Sequence, residues 1–358
     1  MRAGMVSEAE KLLKAFEKRE DGVVKAQASN NLSFMYYQQG NIALASKFAD
    51  LAIEIDKYSP ASLVNRGNCF YEQKQLEEAC QCYLQAMQID STCIEAMYNF
   101  AFCQFEIGNL EVAENQLHKL NAILPGQACV LYLLALVYKE VGDQGQMTHW
   151  LLQLAGVVPS DAGVLQSLGK ALAEEGDQSQ AFSYHYESYK LFPGDLNAIE
   201  WLSHYYLESQ FPEKALNYFE RAILIEPANI KWHLCAVMCM NRCGNYNKAY
   251  ESLKRVHIQF PDSIECLTRL VQKANEMKQP EEAREYEKKL KRAEKQQQAI
   301  EQNRVNSGRI RSGGHRSGQG SGKARQLSAK NRASPPVLST GCNLKISTAT
   351  NYVIYYFL

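Results

Sequence analysis

Residues 196–229 read LNAIEWLSHYYLESQFPEKALNYFERAILIEPAN. Ala215, Leu216, Phe219, Ala222 and Ile223 recur at three- and four-residue steps, the apolar stripe of an amphipathic helix. Pro227 follows where that helix must stop, because proline cannot continue a hydrogen-bonded helix. The block is one of a series. Shifted by 34 residues, its columns align without a gap over 26–59, 60–93, 94–127, 128–161, 162–195, 196–229, 230–263 and 264–297. Position 20 reads Ala45, Ala79, Ala113, Met147, Ala181, Ala215, Ala249 and Ala283. Position 8 is small in six of the eight blocks, position 15 is Gly in five, and position 32 is Pro in five consecutive blocks from Pro125 to Pro261. Four columns in one register exclude coincidence.

A 34-residue period is that of the tetratricopeptide repeat, a pair of antiparallel helices. Small residues at positions 8 and 20 let the two helices approach closely. Gly40, Gly108, Gly142, Gly176 and Gly244 supply the left-handed residue that ends the first helix. No unit buries both faces alone, so neighbours must stack. The expected fold is all-α, a tetratricopeptide-repeat right-handed α-solenoid (superhelix).

The ends depart from the pattern. Residues 1–25 hold one amphipathic stretch, 5–19, which reads as the remnant of an upstream repeat in a truncated or isoform-like chain. The eighth block lacks the terminal Pro and runs on as a polar capping helix whose end is expected at 298–305. From 306 to 358 the composition turns to Gly, Ser and Arg, which predicts disorder. The apolar NYVIYYFL at 351–358 is too short for a bilayer and is expected to be a splice or gene-model product.

Lys plus Arg and Asp plus Glu are 39 each in 358 residues, but the balance hides an asymmetry. No acidic residue follows Glu301, whereas nine basic ones do, so residues 1–301 carry 30 basic against 39 acidic groups. This is an acidic body with a basic tail. The nine charges are spread over some fifty residues with no aromatics among the arginines, so nucleic-acid binding is not expected. No apolar run reaches the ~18–20 residues of a membrane span, and the N-terminus has no signal-peptide core. Eleven cysteines without an export signal read as intracellular thiols.

Nothing in the spacing points to chemistry. Cys235, Cys239 and Cys243 recur at i+4 beside His233, yet a zinc site wants a Cys-x-x-Cys knuckle and a second pair. The glycines of 313–322 end in no Gly-Lys-Ser/Thr. Six histidines lie scattered through the repeats with no nucleophile–His–carboxylate set. The reading is of a non-enzyme without metal or cofactor.

Binding is read from positions 2, 5, 9 and 12 of each first helix, which line the concave face of such arrays. Phe34, Tyr37, Tyr71, Tyr98, Phe102, Phe105 and Tyr132 fall there in the first four blocks, and Lys170 and His204 in the next two. An aromatic half followed by a polar half suits an amphipathic helix or extended peptide. A chaperone-tail clamp needs Lys and Asn at positions 5 and 9; the pairs Asn30/Phe34, Val64/Asn68 and Tyr98/Phe102 argue against it.

The runs SPASLVNRGNCFY (59–71), VVPSDAGVLQSLGKALAEEGDQSQAFSYHYESYKLFP (157–193), AIEWLSHYYLESQFPEKALNYFERAILIEP (198–227), RCGNYNKAYESL (242–253) and QLSAKNRA (326–333) carry more than repeat consensus. Through them the chain resembles the intraflagellar transport protein 88 (polaris) family. The resemblance implies a non-enzymatic scaffold of the intraflagellar transport B complex, required for cilium assembly and for kinesin-driven anterograde transport. Its implied partners are other B-complex subunits and, indirectly, kinesin motors, at the cilium, basal body or centrosome and in the cytoplasm. The rival readings are a generic tetratricopeptide adaptor, such as a co-chaperone or ubiquitin-ligase subunit, and a regulatory array separated from a catalytic domain.

Overall fold

A computed structural model of the chain describes residues 10–16 and 21–311, and among them there is helix and turn but no strand. The helices come in pairs. The first four pairs are α1 (Gly22–Gln38) with α2 (Ile42–Ile55), α3 (Pro60–Glu72) with α4 (Leu76–Ile89), α5 (Ile94–Ile107) with α6 (Leu110–Ile123), and α7 (Ala128–Val141) with α8 (Gln144–Val157). The second four are α9 (Ala162–Glu174) with α10 (Gln178–Leu191), α11 (Leu196–Glu208) with α12 (Pro212–Ile225), α13 (Ile230–Arg242) with α14 (Tyr246–Gln259), and α15 (Ile264–Glu276) with α16 (Pro280–Arg311). From α3 onward the leading helices start every 34 residues, and from α2 onward so do the trailing ones. The fold is an all-α tetratricopeptide-repeat solenoid.

Two starts and stops differ from expectation. The first pair opens at Gly22 rather than Ala26, because the Asp21 side chain accepts the Val23 and Val24 N–H groups and caps the helix early. The last helix runs to Arg311, into the stretch whose composition predicts disorder, because adding a residue to an existing helix is far easier than starting one. The rest of that stretch, 312–358, lies outside the described residues, as do the flanks of the expected 5–19 helix. Residues 10–16 are helical. Glu10 accepts a hydrogen bond from the Tyr36 hydroxyl at 2.7 Å, and Leu13 packs on the Leu32–Tyr36–Phe48 core.

The turn inside each pair is made one way eight times. Gly40, Gly108, Gly142, Gly176 and Gly244 have φ between 75° and 98°, and Lys74, Gln210 and Lys278 take φ of 64°, 64° and 57° at the same repeat position. The next N–H reaches back to the carbonyl five residues earlier: Asn41 to Tyr36, Asn109 to Gln104 and Phe211 to Tyr206, at 2.8–2.9 Å. That bond is the signature of the Schellman motif. The position therefore demands a left-handed residue even where glycine is missing.

Close packing follows from the turn. Seven of the eight position-20 side chains are alanines, and all eight are buried. Ser33, at position 8, donates its hydroxyl to the Ala45 carbonyl at 2.8 Å, so these two columns touch. At Gly67 an added Cβ would stand 2.5 Å from the Tyr83 ring. Buried asparagines join successive pairs: Asn65 Nδ2 donates to Asn30 Oδ1 at 2.8 Å, and Asn68 Oδ1 accepts from Tyr83 at 2.8 Å and Asn99 at 2.9 Å. By internal packing the chain divides between Ala181 and Phe182 into two units, the first holding α1–α9 and the second α11–α16.

Two stability predictions follow from this geometry. A left-handed β-carbon costs roughly 1–2 kcal/mol, part of which glycine's extra freedom in the unfolded chain offsets. Lys74→Gly and Gln210→Gly should therefore each gain about 0.5–1 kcal/mol in urea unfolding, while Gly108→Ala loses a similar amount. Equal midpoints for all three variants would remove the left-handed requirement. Gly67→Ala should cost about 1–3 kcal/mol by overpacking against Tyr83; an unchanged thermal midpoint would show that the ring moves aside freely.

Candidate partner-binding surface

The leading helices of the first unit touch one another directly, α1 on α3, α3 on α5 and α5 on α7. Their facing side chains are consumed by that contact. Tyr98 and Phe102 are fully buried, Tyr71 and Phe105 nearly so, and the Tyr71 and Phe102 rings lie 5.4 Å apart. These four are core rings, which corrects their assignment to an open groove: helical spacing places them on the right face, but the neighbouring leading helix covers it. Asn68, one of the two clamp columns, is likewise buried and spent on Tyr83 and Asn99. Phe34 and Tyr37 are half-buried on α1, and the Tyr37 hydroxyl donates to Glu72 at 3.2 Å.

The open site lies further along. A cleft of about 150 Å³ is bounded by α7, α8 and α9. Tyr132 and Lys170, both predicted, line it. Its floor is Ala135, Met147 and Leu151, with Leu136 half-buried at the wall. Lys139 and Lys170 stand exposed at its sides. Gln144 crosses from α8 to α9, donating to the Ala171 carbonyl at 3.1 Å and to Glu174 at 3.3 Å, and so holds the cleft's own carboxylate. Desolvation and the Asp161 charge push the Tyr132 hydroxyl above its ordinary pKa, so it stays neutral. The arrangement has an apolar seat and a basic rim. It offers no nucleophile beside a base.

In the second unit, His204 is exposed with Nε2 3.8 Å from Glu200, and Lys231 pairs with the same carboxylate at 2.6 Å. This is a solvated polar face. Around it the Trp201, Tyr205, Tyr206 and Tyr218 rings stack with Phe182 and His185, His185 lying 4.1 Å from Trp201. Cys239 is buried and its thiol is pushed up to about 12, the wrong direction for a thiolate ligand. Among the described residues no three His, Cys, Asp or Glu side chains gather as a metal site, and no helix is long and apolar enough to cross a membrane.

Residues 9–157 match the family described as the second ARM domain of tetratricopeptide repeat protein 21. A segment of 74 residues is 45% identical to the Homo sapiens intraflagellar transport protein 88 homolog, covering 21% of this chain and 9% of that protein. Over that segment the chain is similar to intraflagellar transport protein 88. It spans a small part of that relative's length. Among solved structures, the C-terminal part of a tetratricopeptide protein from Cytophaga hutchinsonii superposes with a TM-score of 0.54 at 18% identity, covering 64% of this chain and 94% of that one. Pseudomonas aeruginosa pilF gives 0.50 at 18% identity, covering 58% and 94%. At such identities these two report on fold alone.

The resemblance to the transport family is thus borne out over the matched segments. Leu136 and Lys139 escaped notice although they occupy positions 9 and 12 of their block, the same columns that located the aromatics. Ranking by ring content favoured residues that the core had already taken. Gln144 and Glu174 had no such signal, since their role depends on a contact between helices.

His185 yields a pH prediction. Its ring is buried with neither nitrogen hydrogen-bonded, and desolvation lowers its pKa to about 4. An unfolded histidine titrates near 6.5, so between about pH 6.5 and 4 the unfolded chain binds the extra proton. Stability is fully present above that window and falls by up to about 3 kcal/mol through it. His185→Phe should flatten this acid slope in urea titrations at stepped pH; an unaltered slope places the titrating group elsewhere.

Proposed function

We propose that this chain is a non-enzymatic scaffold of intraflagellar transport. It holds other subunits of the B complex through the leading-helix face of eight tetratricopeptide repeats spanning 26–297, and serves cilium assembly and anterograde transport, with kinesin motors as indirect partners. It works at the cilium or flagellum, the basal body or centrosome, and in the cytoplasm. The relation to intraflagellar transport protein 88 supports the setting. The observation that carries the mode of action is the cleft between α7, α8 and α9, where Tyr132 and Leu136 offer apolar surface that neighbouring helices leave partly open. A repeat array that spends its rings on self-stacking has few such places.

Filling the cleft with one apolar side chain contributes about 1.5–3 kcal/mol, enough to dominate a small interface. Leu136→Glu puts a charge on the half-buried wall without touching the core. Capture of the other B-complex subunits from ciliated cells at physiological salt should then fall more than tenfold with the helical circular-dichroism signal unchanged. Full capture by Leu136→Glu, together with loss on deleting 312–358, would move the binding site to the basic tail.

A further inference from the structure

The buried thiols of the array carry a chemistry of their own: we infer that Cys80 and Cys103 form a reversible disulfide, made by a hydroperoxide and undone by a thiol, which ties α4 to α5. Position 21 of each block faces position 10 of the next, as the Phe182 and Tyr205 rings do at 4.7 Å. Leu216 and Cys239 repeat that pairing within one core cluster. Cysteine fills both places at one junction only, with Cys80 on α4 and Cys103 on α5. There the Cys103 S–H donates to the Cys80 sulfur, so the two sulfurs are already neighbours. A disulfide needs that adjacency, because it cannot bridge backbones held apart.

Reactivity is set by the same contacts. Gln104 Nε2 donates to the Cys80 sulfur at 3.4 Å, beside the Cys103 S–H. The hydrogen bond from Cys103, and then that from Gln104, draws the Cys80 thiol below its ordinary pKa. The other nine cysteines of the described residues are all pushed up, eight of them chiefly by burial and Cys103 by its bond to Cys80. The thiolate is the nucleophile, so Cys80 is the sulfur that reacts. It keeps 5% of its surface exposed and Cys103 keeps none, so an oxidant meets Cys80 first. Its thiolate attacks one oxygen of hydrogen peroxide; the S–O bond forms, the O–O bond breaks, and the hydroxide leaves as water with the proton Cys80 released. The Cys103 sulfur then attacks the sulfenic sulfur. The S–S bond forms, the S–O bond breaks, and the second hydroxide departs as water with the Cys103 proton. Two thiols have lost two electrons and one peroxide has gained them. Two equivalents of a small thiol restore both cysteines and leave as their own disulfide.

The test treats the full folded chain with one equivalent of hydrogen peroxide at neutral pH and blocks the remaining thiols with N-ethylmaleimide. Digestion without reduction, by a protease that cuts after glutamate, separates 79–95, which holds Cys80, Cys82 and Cys93, from 96–106, which holds Cys103. Mass spectrometry should find these two peptides joined in most molecules, with fragment ions placing the bridge at Cys80 and Cys103. Dithiothreitol should part them. Cys80→Ser should lower the joined peptide at least tenfold, while Cys82→Ser leaves it unchanged. Cys103→Ser should instead leave Cys80 as a sulfenic acid that dimedone labels. The fragment ions come from the unaltered chain, so the assignment holds whether or not a variant folds. No joined peptide from the folded chain overturns the inference, as does a bridge through Cys82 or Cys93.

Discussion

A single backbone constraint organises this protein: one residue per 34 must turn left-handed. That residue breaks the first helix of each pair and lets the following N–H reach back to a helical carbonyl, so the second helix leaves at a set angle. The set angle brings position 20 against position 8, where only small side chains fit. Alanine, serine and glycine in those columns are a response to the turn, and the closeness they permit seals the pair. Lys74, Gln210 and Lys278 show how binding the constraint is, since they accept an unfavourable conformation where the chain has no glycine.

In the first unit the pairs then stack so tightly that their leading helices meet. This contact settles the fate of the aromatic side chains. A ring on a leading helix serves the core whenever the next leading helix approaches it, as at Tyr98 and Phe102. Tyr132 instead borders the cleft, where Ala135 and Ala171 leave volume unfilled. Function in such an array depends on where packing is left incomplete. The cleft between α7, α8 and α9 is a local shortage of side-chain volume, and the lysines at its edge are there because nothing else covers it.

The fold was legible because it rests on columns that repeat. Ala215 and Pro227 each have counterparts in most blocks, and eight weak signals in one register make a strong one. The helix ends without repetition were harder. Asp21 capped α1 earlier than the column pattern implied, and α16 ran beyond the point where composition changed. The site was half legible. Spacing named Tyr132 and Lys170, which line the candidate cleft, but depth along that face depends on side chains from other helices. Tyr98 and Tyr132 occupy the same repeat position, and one is core while the other is cleft. No single block contains the information that separates them.

The buried asparagines bear on the identity of each repeat. An array built only from alanine and leucine contacts would accept its units in any order, since one apolar face fits another. Asn68 breaks that equivalence: its carbonyl oxygen is shared between Tyr83 of its own pair and Asn99 of the next. Asn65 donates its amide to Asn30 Oδ1 of the pair before. A neighbour without Asn99 or Asn30 would lose one of these hydrogen bonds, each worth about 0.5–1.5 kcal/mol. The three opening pairs are thereby keyed to one another like the wards of a lock, which disfavours stacking shifted by a unit. In a molecule made of near-identical parts, a few polar side chains give each part its address.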